Sequence, residues 1–467
     1  MQSTVIPLAY LISAVLFILG IKRLSHPATA AGGNRLAALG MLLAIAATLL
    51  DQQVLSYTWV VAGMAAGGLI GLTMARTVKM TAMPEMVAVF NGFGGAASGL
   101  VAIGEYLRLQ TGAGQAAISV DQGVSIMAGT LIGAVTFSGS IIAWGKLQGF
   151  VSGKAISNPL VRILATLLAL GSLGTAGWLV AAQGADSQTA MFWALVAGGL
   201  ALGVLFVLPI GGADMPVVVA LLNSYSGIAA SAAGFVLNNY GLVISGALVG
   251  ASGLILTGIM CRAMNRSLTN VLFSAFGTTG AASGSQDSGD KVATPVDAED
   301  SAMLLGYASQ VVFVPGYGLA VAQAQHRIRE LADLLTKRGV RVRYCVHPVA
   351  GRMPGHMNVL LAEANVPYDQ LCEPDDVNPD MEQVDVAVVV GANDVVNPLA
   401  RDDAGSPIAG MPIIETDRAR SCIVIKRSLS VGYAGIDNPL FYLPNNRMYF
   451  GDAAEALGDI ASEVKQL

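Results

Sequence analysis

Hydrophobic residues fill the first 264 positions of the chain in long, nearly unbroken blocks and the remainder in short ones. Nine long blocks stand out, at 4–21, 35–50, 55–75, 84–107, 122–144, 159–182, 190–208, 215–237 and 240–264. Wound as helices rising about 1.5 Å per residue, each is expected to suffice for a hydrocarbon layer of roughly 30 Å, the second being the shortest. The pattern predicts nine membrane-spanning helices. Glycines recur four apart within the blocks, at Gly63/Gly67/Gly71, Gly129/Gly133, Gly199/Gly203 and Gly246/Gly250. That spacing predicts a tightly packed bundle with close backbone approach in lipid.

Residues 277–301 break the pattern: Gly, Ser and Thr dominate, an acidic stretch follows, and no hydrophobic period is present. A flexible tether is expected there. Beyond it, short Val-rich runs alternate with helical patterns. Strands are expected at 310–314, 340–346, 384–390, 421–426 and 447–450, and helices at 320–337 and 356–363. Strands apolar on both faces suit a parallel sheet covered by helices. The predicted architecture is a multi-span α-helical domain (1–268), a linker (269–302) and an α/β, Rossmann-like, doubly wound parallel-sheet domain (303–467).

Composition supports this division. The chain is 54% hydrophobic and only 12% charged, against about a quarter charged in ordinary soluble chains. Up to Ser267 the acidic residues are Asp51, Glu85, Glu105, Asp121, Asp186 and Asp214, whereas the last third is rich in charge. A net charge of −5, with no basic patch interleaved with aromatics, excludes a nucleic-acid partner. Lys22, Arg23, Arg35, Arg76, Lys79, Lys146, Lys154, Arg162, Arg262 and Arg266 collect on one side of the nine blocks, and only Arg108 on the other. Positive loops stay in the cytoplasm, so the amino terminus is expected outside and the polar third inside. Lys22 and Arg23 follow the first block instead of preceding it, which reads as a span and not a secretion signal. The four cysteines show no metal-ligand spacing, and three lie in the polar third, where they are expected reduced.

Polar residues inside apolar blocks are costly and mark interior paths. Asn91, Asn223 and Tyr225 lie within blocks, Asp214 just before the eighth, and Glu85 at the start of the fourth. Asp214, Asn223 and Asn91 together suggest an ion path, while Ser138 and Ser140 fit hydrogen-bonded glue between helices. All four histidines (His26, His326, His347 and His356) fall outside the blocks. A proton path would therefore use carboxylate, amide and water, or borrow an imidazole from another subunit.

In the polar third, 311–325 reads Val-Val-Phe-Val-Pro-Gly-Tyr-Gly-Leu-Ala-Val-Ala-Gln-Ala-Gln, a strand, a glycine-spaced turn and a helical pattern. Gly316 and Gly318 suit a tight turn, and the helix start would offer N–H groups to a pyrophosphate. Val321 stands where a third glycine is usual, and the second strand ends in Cys-Val-His-Pro with no acid to hold a ribose 2′-hydroxyl. Ordinary NAD binding is disfavoured. Arg352, Lys426 and Arg427 sit where strand ends face a ligand crevice, which favours a 2′-phosphate and hence NADP. Asn393 and Asp394 could hold a ribose or an amide, although capping of the next turn is the plainer reading.

The chain resembles, over nearly its whole length, the β subunit of the proton-translocating nicotinamide nucleotide transhydrogenase. The motifs carrying the resemblance are Gly-Ala-Val-Thr-Phe-Ser-Gly-Ser (133–140), Gly-Gly-Ala-Asp-Met-Pro-Val-Val-Val (211–219), Leu-Asn-Ser-Tyr-Ser-Gly (222–227) and Met-Cys-Arg-Ala-Met-Asn-Arg-Ser (260–267). In the polar third they are 315–325, His-Pro-Val-Ala-Gly-Arg-Met-Pro-Gly-His-Met-Asn (347–358), Gly-Ala-Asn-Asp (391–394) and Lys-Arg-Ser-Leu-Ser-Val-Gly-Tyr-Ala-Gly (426–435). The resemblance implies Si-specific hydride transfer from NADH, held by a partner α subunit, to NADP⁺ held by this chain, active only with that partner. It implies coupling to inward proton movement, a dimer of αβ units, and a bacterial inner membrane with the nucleotide domain in the cytoplasm. NADP(H) would lie reversed relative to most such folds. Its implied contacts are Gly316, Tyr317, Gly318 and Val321, then Val349, Ala350, Gly351, Arg352, Met353 and Pro354. Gly391, Ala392, Asn393 and Asp394 follow, then Lys426, Arg427, Ser428, Gly432, Tyr433, Gly451 and Asp452. Lys426 and Arg427 are implied for the 2′-phosphate, Tyr433 for a loop closing over the cofactor, and Asp394 for linking protons to NADP(H) binding. Asp214 and Asn223 match positions tied to coupling, and Gly253 and Arg266 match positions near the domain junction. Where some members carry a histidine in the fourth span this chain has Asn91, as do members whose partner supplies the histidine. No metal is expected.

Two other classes fit the same division into halves. A nucleotide-gated channel would need a filter in the spans, and none of the Thr-Val-Gly-Tyr-Gly type occurs there. A membrane-anchored NADP store would have no redox role.

Overall fold

The computed structural model describes residues 2–24, 26–50, 57–111, 118–153, 156, 158–182, 188–273, 292–432 and 434–467. It divides into two compact units, Met1–Gly258 and Ile259–Leu467.

Among the described residues, nine helices are long and apolar enough to cross a membrane. They are α1 Gln2–Leu24, α2 Pro27–Leu50, α3 Tyr57–Thr77, α4 Met83–Thr111, α5 Val120–Gln148, α6 Pro159–Ala181, α7 Gln188–Val207, α8 Met215–Val236 and α9 Tyr240–Ala263. The second block was expected from 35, yet its helix begins at Pro27. The Ala- and Gly-rich lead-in sustains a helix, and a proline is tolerated at its first position because no N–H is needed there.

Helix α5 is central, packed against α4, α6, α7 and α8. Its glycines explain the closeness. A Cβ on Gly133 would stand 2.7 Å from Gly95 O and 2.8 Å from Gly99 Cα, so α4 and α5 meet backbone to backbone. The pairs at 199/203 and 246/250 are likewise filled by neighbouring helices. Gly63, Gly67 and Gly71 are the exception: added side chains there would meet nothing within 4 Å, and α3 buries no residue. The tight packing expected of that ridge does not occur among the described residues. Stacked rings of Tyr106 and Phe192, 3.8 Å between centroids, join α4 to α7.

The second unit holds α10 Leu268–Phe273, α11 Ala298–Gly306, β1 Gln310–Pro315, α12 Tyr317–Val321, α13 Gln325–Lys337 and β2 Arg341–Cys345. There follow α14 His356–Glu363, β3 Leu371–Cys372, α15 Pro374–Val377, β4 Val386–Val390, α16 Leu399–Asp402, β5 Ser421–Lys426, β6 Asn446–Phe450 and α17 Ala453–Gln466. The strands form one sheet in the order β3-β2-β1-β4-β5-β6, every neighbouring pair parallel. All five residues of β4 are buried, as a strand covered on both faces requires. This is the expected doubly wound fold.

The short elements α10, β3, α15 and α16 have no counterpart in the expected pattern, and three longer features differ from it. The helix foreseen over 320–337 is two, because Gln323 adopts φ +51 and ends α12 before α13 begins. The acidic end of the expected tether is helical: Asp297 caps α11 by accepting from Asp300 N at 2.9 Å, and Pro295 bridges to Met448 beside β6. Residues 274–291 of that tether lie outside the described residues. Helix α17 was not foreseen, although Asp452 at its cap and apolar positions 453, 456, 457, 460, 461 and 464 carry a clear 3.6-residue period.

Candidate nucleotide cleft and membrane polar cluster

At the carboxyl ends of β1, β4, β5 and β6 lies a cleft of about 750 Å³, a volume suited to a dinucleotide. It gathers Gly316, Tyr317, Gly318 and Val321 from the first turn and Val349, Ala350, Gly351 and Arg352 from the loop after β2. Gly391, Ala392, Asn393 and Asp394 enter after β4, Lys426, Arg427, Ser428 and Gly432 after β5, and Gly451 and Asp452 after β6. Met353 and Pro354 continue the β2 loop but do not line the cleft. Tyr433 lies outside the described residues.

The glycine turn works differently from the sequence expectation. Gly316 N donates to Val390 O and Gly318 N to Gly391 O, each at 2.9 Å, so these two N–H groups are engaged within the protein. A Cβ on Gly316 would sit 2.5 Å from Ala392 Cα, and one on Gly318 would sit 2.6 Å from Gly391 Cα. The glycines allow two strand-end loops to touch. Gly391 holds φ +66, a conformation costly for any residue with a Cβ.

Asn393 stands at the start of the following turn, but its side chain does not cap it. Asn393 Nδ2 donates to Ser430 O at 3.2 Å, and Asp394 Oδ2 accepts from Ala434 N at 3.1 Å. Asn438 adds bonds of 3.1 Å to both Asn393 O and Oδ1, and Asn397 Nδ2 reaches Asp437 O at 3.0 Å. The loop after β4 thus pins the loop after β5 over one wall of the cleft.

Lys426 Nζ donates to Ser430 O at 2.6 Å and lies 4.8 Å from the Phe441 ring centroid. Burial lowers its pKa from the ordinary lysine value, against the opposing fields of Asp394 and Asp437. Arg427 is exposed at the rim. Across the cleft, the Arg352 guanidinium covers the Tyr317 ring, 4.6 Å to the centroid. Arg352 N donates to His356 Nδ1 at 3.1 Å, which shapes the loop where Gly351 takes φ +104. Three cations therefore face one cavity. No acid follows β2, where a ribose 2′-hydroxyl would be held.

Sequence reasoning missed several residues here. Val395, Ile425, Ser430, Val431 and Ala453 also line the cleft. Buried His347 braces it: Nδ1 accepts from Val349 N at 3.3 Å, which leaves the ring proton on Nε2, 2.7 Å from Pro412 O. Burial holds its pKa below the usual histidine value, partly offset by the bond to Pro412. A histidine next to a turn proline carries no pattern that announces such a brace.

In the first unit, Asn91 Nδ2 donates to Ser140 Oγ at 2.9 Å, and Ser226 Oγ donates to Asn91 Oδ1 at 2.9 Å. One amide joins α4, α5 and α8. Ser140 is the expected glue between helices, whereas Ser138 bonds within its own helix to Ala134 O at 3.0 Å. Asn223 is half-buried on α8, and Asp214 is buried in the turn that precedes it. The two are nine positions apart, about 13 Å along a helix axis.

A unit of membrane-length helices and a doubly wound unit with a cationic dinucleotide-sized cleft define a membrane-associated nucleotide-binding protein. Residues 6–463 match the family described as NAD(P) transhydrogenase beta subunit. Two relatives from Rhodospirillum rubrum, both NAD(P) transhydrogenase subunit beta, are each 50% identical to it over 460 residues, which is 98% of this chain and 98% of theirs. The chain belongs to the NAD(P) transhydrogenase beta subunit family. Membership carries transhydrogenase activity, nicotinamide nucleotide binding and an alpha partner, and nothing in the comparisons supports the channel reading.

Proposed function

We propose that this chain holds NADP(H) in the cleft, accepts hydride from NADH on an α subunit, and couples the transfer to inward proton movement across a bacterial inner membrane. The observation that carries the reading is the convergence of Lys426, Arg427 and Arg352 on one cleft whose β2 end lacks an acid. A 2′-phosphate suits that charge, and a bare 2′-hydroxyl lacks the acid after β2 that would ordinarily hold it. The bound nicotinamide supplies the hydride-accepting carbon, so the chain's task is binding, orientation and exclusion of water. No nucleophile, general base or metal is required of it.

Coupling needs the cleft's affinity for oxidised and reduced forms to respond to a proton event. The loop spanning 426–438, pinned through Asn393, Asp394 and Asn438, is the element suited to move. Asp394 carries that response, with Tyr433 closing the cleft from the same loop. Asn91, Asn223 and Asp214 carry the proton through the first unit, and the imidazole absent from the spans comes from the partner. Units of αβ pair as dimers, with the nucleotide domain in the cytoplasm. The boundaries 1–268, 269–302 and 303–467 describe the division of labour.

The test is spectrophotometric. The chain reconstituted with its α subunit should reduce an NADP⁺ analogue at the expense of NADH with Si-face specificity, and the chain alone should not. Reduction by the chain alone, or none with the partner, would contradict the proposal.

A further inference from the structure

By sequence Lys146 belongs with the cytoplasmic loop cations, yet it lies within α5 and is only 5% exposed. Its Nζ donates to Leu208 O and to Ile210 O, each at 2.6 Å. These carbonyls follow the end of α7 at Val207, where the last carbonyls of a helix lack partners and the dipole is negative. A buried cation in an apolar unit is costly and marks function more often than packing. From Ile210 the chain passes through Gly211 and Gly212 into the turn Gly212–Asp214 that starts α8. A second tie holds the same segment, because Gly212 N donates to Gly153 O at 2.8 Å, just past the end of α5. Adjacent glycines do little to fix a backbone by themselves. The segment leading to Asp214 is therefore tied both to α5 and to the stretch just past its end.

We propose that Lys146 is the positioning residue for Asp214: its ammonium clamps the α7–α8 connection so that the carboxylate keeps a fixed place at the start of α8. The proposal rests on the reading of Asp214 as a coupling carboxylate. An ammonium suits the role because it has three donors and can hold both carbonyls at once. In a low-dielectric setting neither carbonyl has water to fall back on.

The test uses the enzyme assembled with its partner in vesicles, in the variants Lys146→Met, Lys146→Arg, Asp214→Asn and Lys146→Met/Asp214→Asn. The readout is protons moved per hydride transferred. Maleimide labelling of Gly212→Cys, with and without Lys146→Met, reports the turn itself. That cysteine has room, since the nearest atom to its Cβ is Gly153 O at 3.5 Å. Lys146→Met should lower the ratio by about fivefold or more and raise labelling by about fivefold, while Lys146→Arg stays within about twofold. On the Asp214→Asn background, Lys146→Met should add less than about a twofold loss, because both act on one carboxylate. A lysine that merely supports folding would lower both rates together and leave the ratio unchanged, which overturns the proposal. Losses that multiply in the double variant, or unchanged labelling, overturn it as well. A wild-type ratio in Asp214→Asn instead sinks the coupling reading of Asp214, and labelling then decides the structural part alone.

Discussion

Lys426→Met separates recognition of the 2′-phosphate from general support of the cleft. Methionine keeps much of the stem against Phe441 and removes the cation. A hydrogen bond from a charged group contributes about 1.5–3 kcal/mol, which is roughly 10- to 150-fold in affinity. The lower end applies here. Lys426 is half-buried and already bonded to Ser430 O at 2.6 Å, so a phosphate gains only part of its donors, and Arg427 stays beside it. The expected loss is about 10- to 30-fold in NADP⁺ affinity with NAD⁺ affinity unchanged within about twofold. Equilibrium titration of the detergent-solubilised chain with both nucleotides measures it. The pH dependence gives a second check. Burial lowers the pKa of Lys426, so it sheds its proton earlier than an ordinary lysine as pH rises. Affinity for NADP⁺ should therefore decline on the alkaline side in the native chain, and that decline should flatten in the variant. Equal weakening of both nucleotides would assign Lys426 to loop folding and refute phosphate recognition, as would no change at all.

His347 is held neutral, with its pKa below the unfolded histidine value. The unfolded chain takes up its proton first, so stability of the second unit should fall as pH drops below about 6.5, and His347→Gln should flatten that slope in melting curves. Gly391→Ala combines φ +66 with overlap against Gly318, and should cost about 2–4 kcal/mol in denaturant titrations while weakening nucleotide binding. Asn91→Leu leaves Ser140 and Ser226 without their shared amide. It should cost about 1–3 kcal/mol in the first unit's melting and slow proton movement more than nucleotide binding.

The sequence makes the division into halves legible because apolar blocks of membrane length and alternating Val-rich runs obey different periods. Strand β5 falls on its expected residues, and β1, β2, β4 and β6 within two residues at either end, since β-branched runs bounded by turn residues are strong local signals. The break at Gln323 is invisible because Ala-Val-Ala-Gln-Ala-Gln favours a continuous helix, and a left-handed Gln leaves no mark in composition. The cleft is legible where chemistry is local, as with the glycine turn and Lys426-Arg427. It is illegible where contacts join distant segments. His347 with Pro412, Asn438 with Asn393, and Lys146 with Leu208 and Ile210 each join residues 45 or more positions apart. The glycines show the same limit: their N–H groups meet the carbonyls of Val390 and Gly391, which no reading of 311–325 alone could supply.

The central claim, that the nucleotide in this cleft governs proton movement, is tested most directly in sealed vesicles carrying this chain and its α subunit. Proton flux and NADP⁺ reduction by NADH should be followed together, with NADP⁺ present, absent or replaced by NAD⁺. Coupling predicts inward proton movement in fixed proportion to hydride transfer, none without NADP(H), and faster turnover when an uncoupler collapses the gradient. Hydride transfer at full rate with no proton movement, or proton flux that ignores the nucleotide, would contradict it.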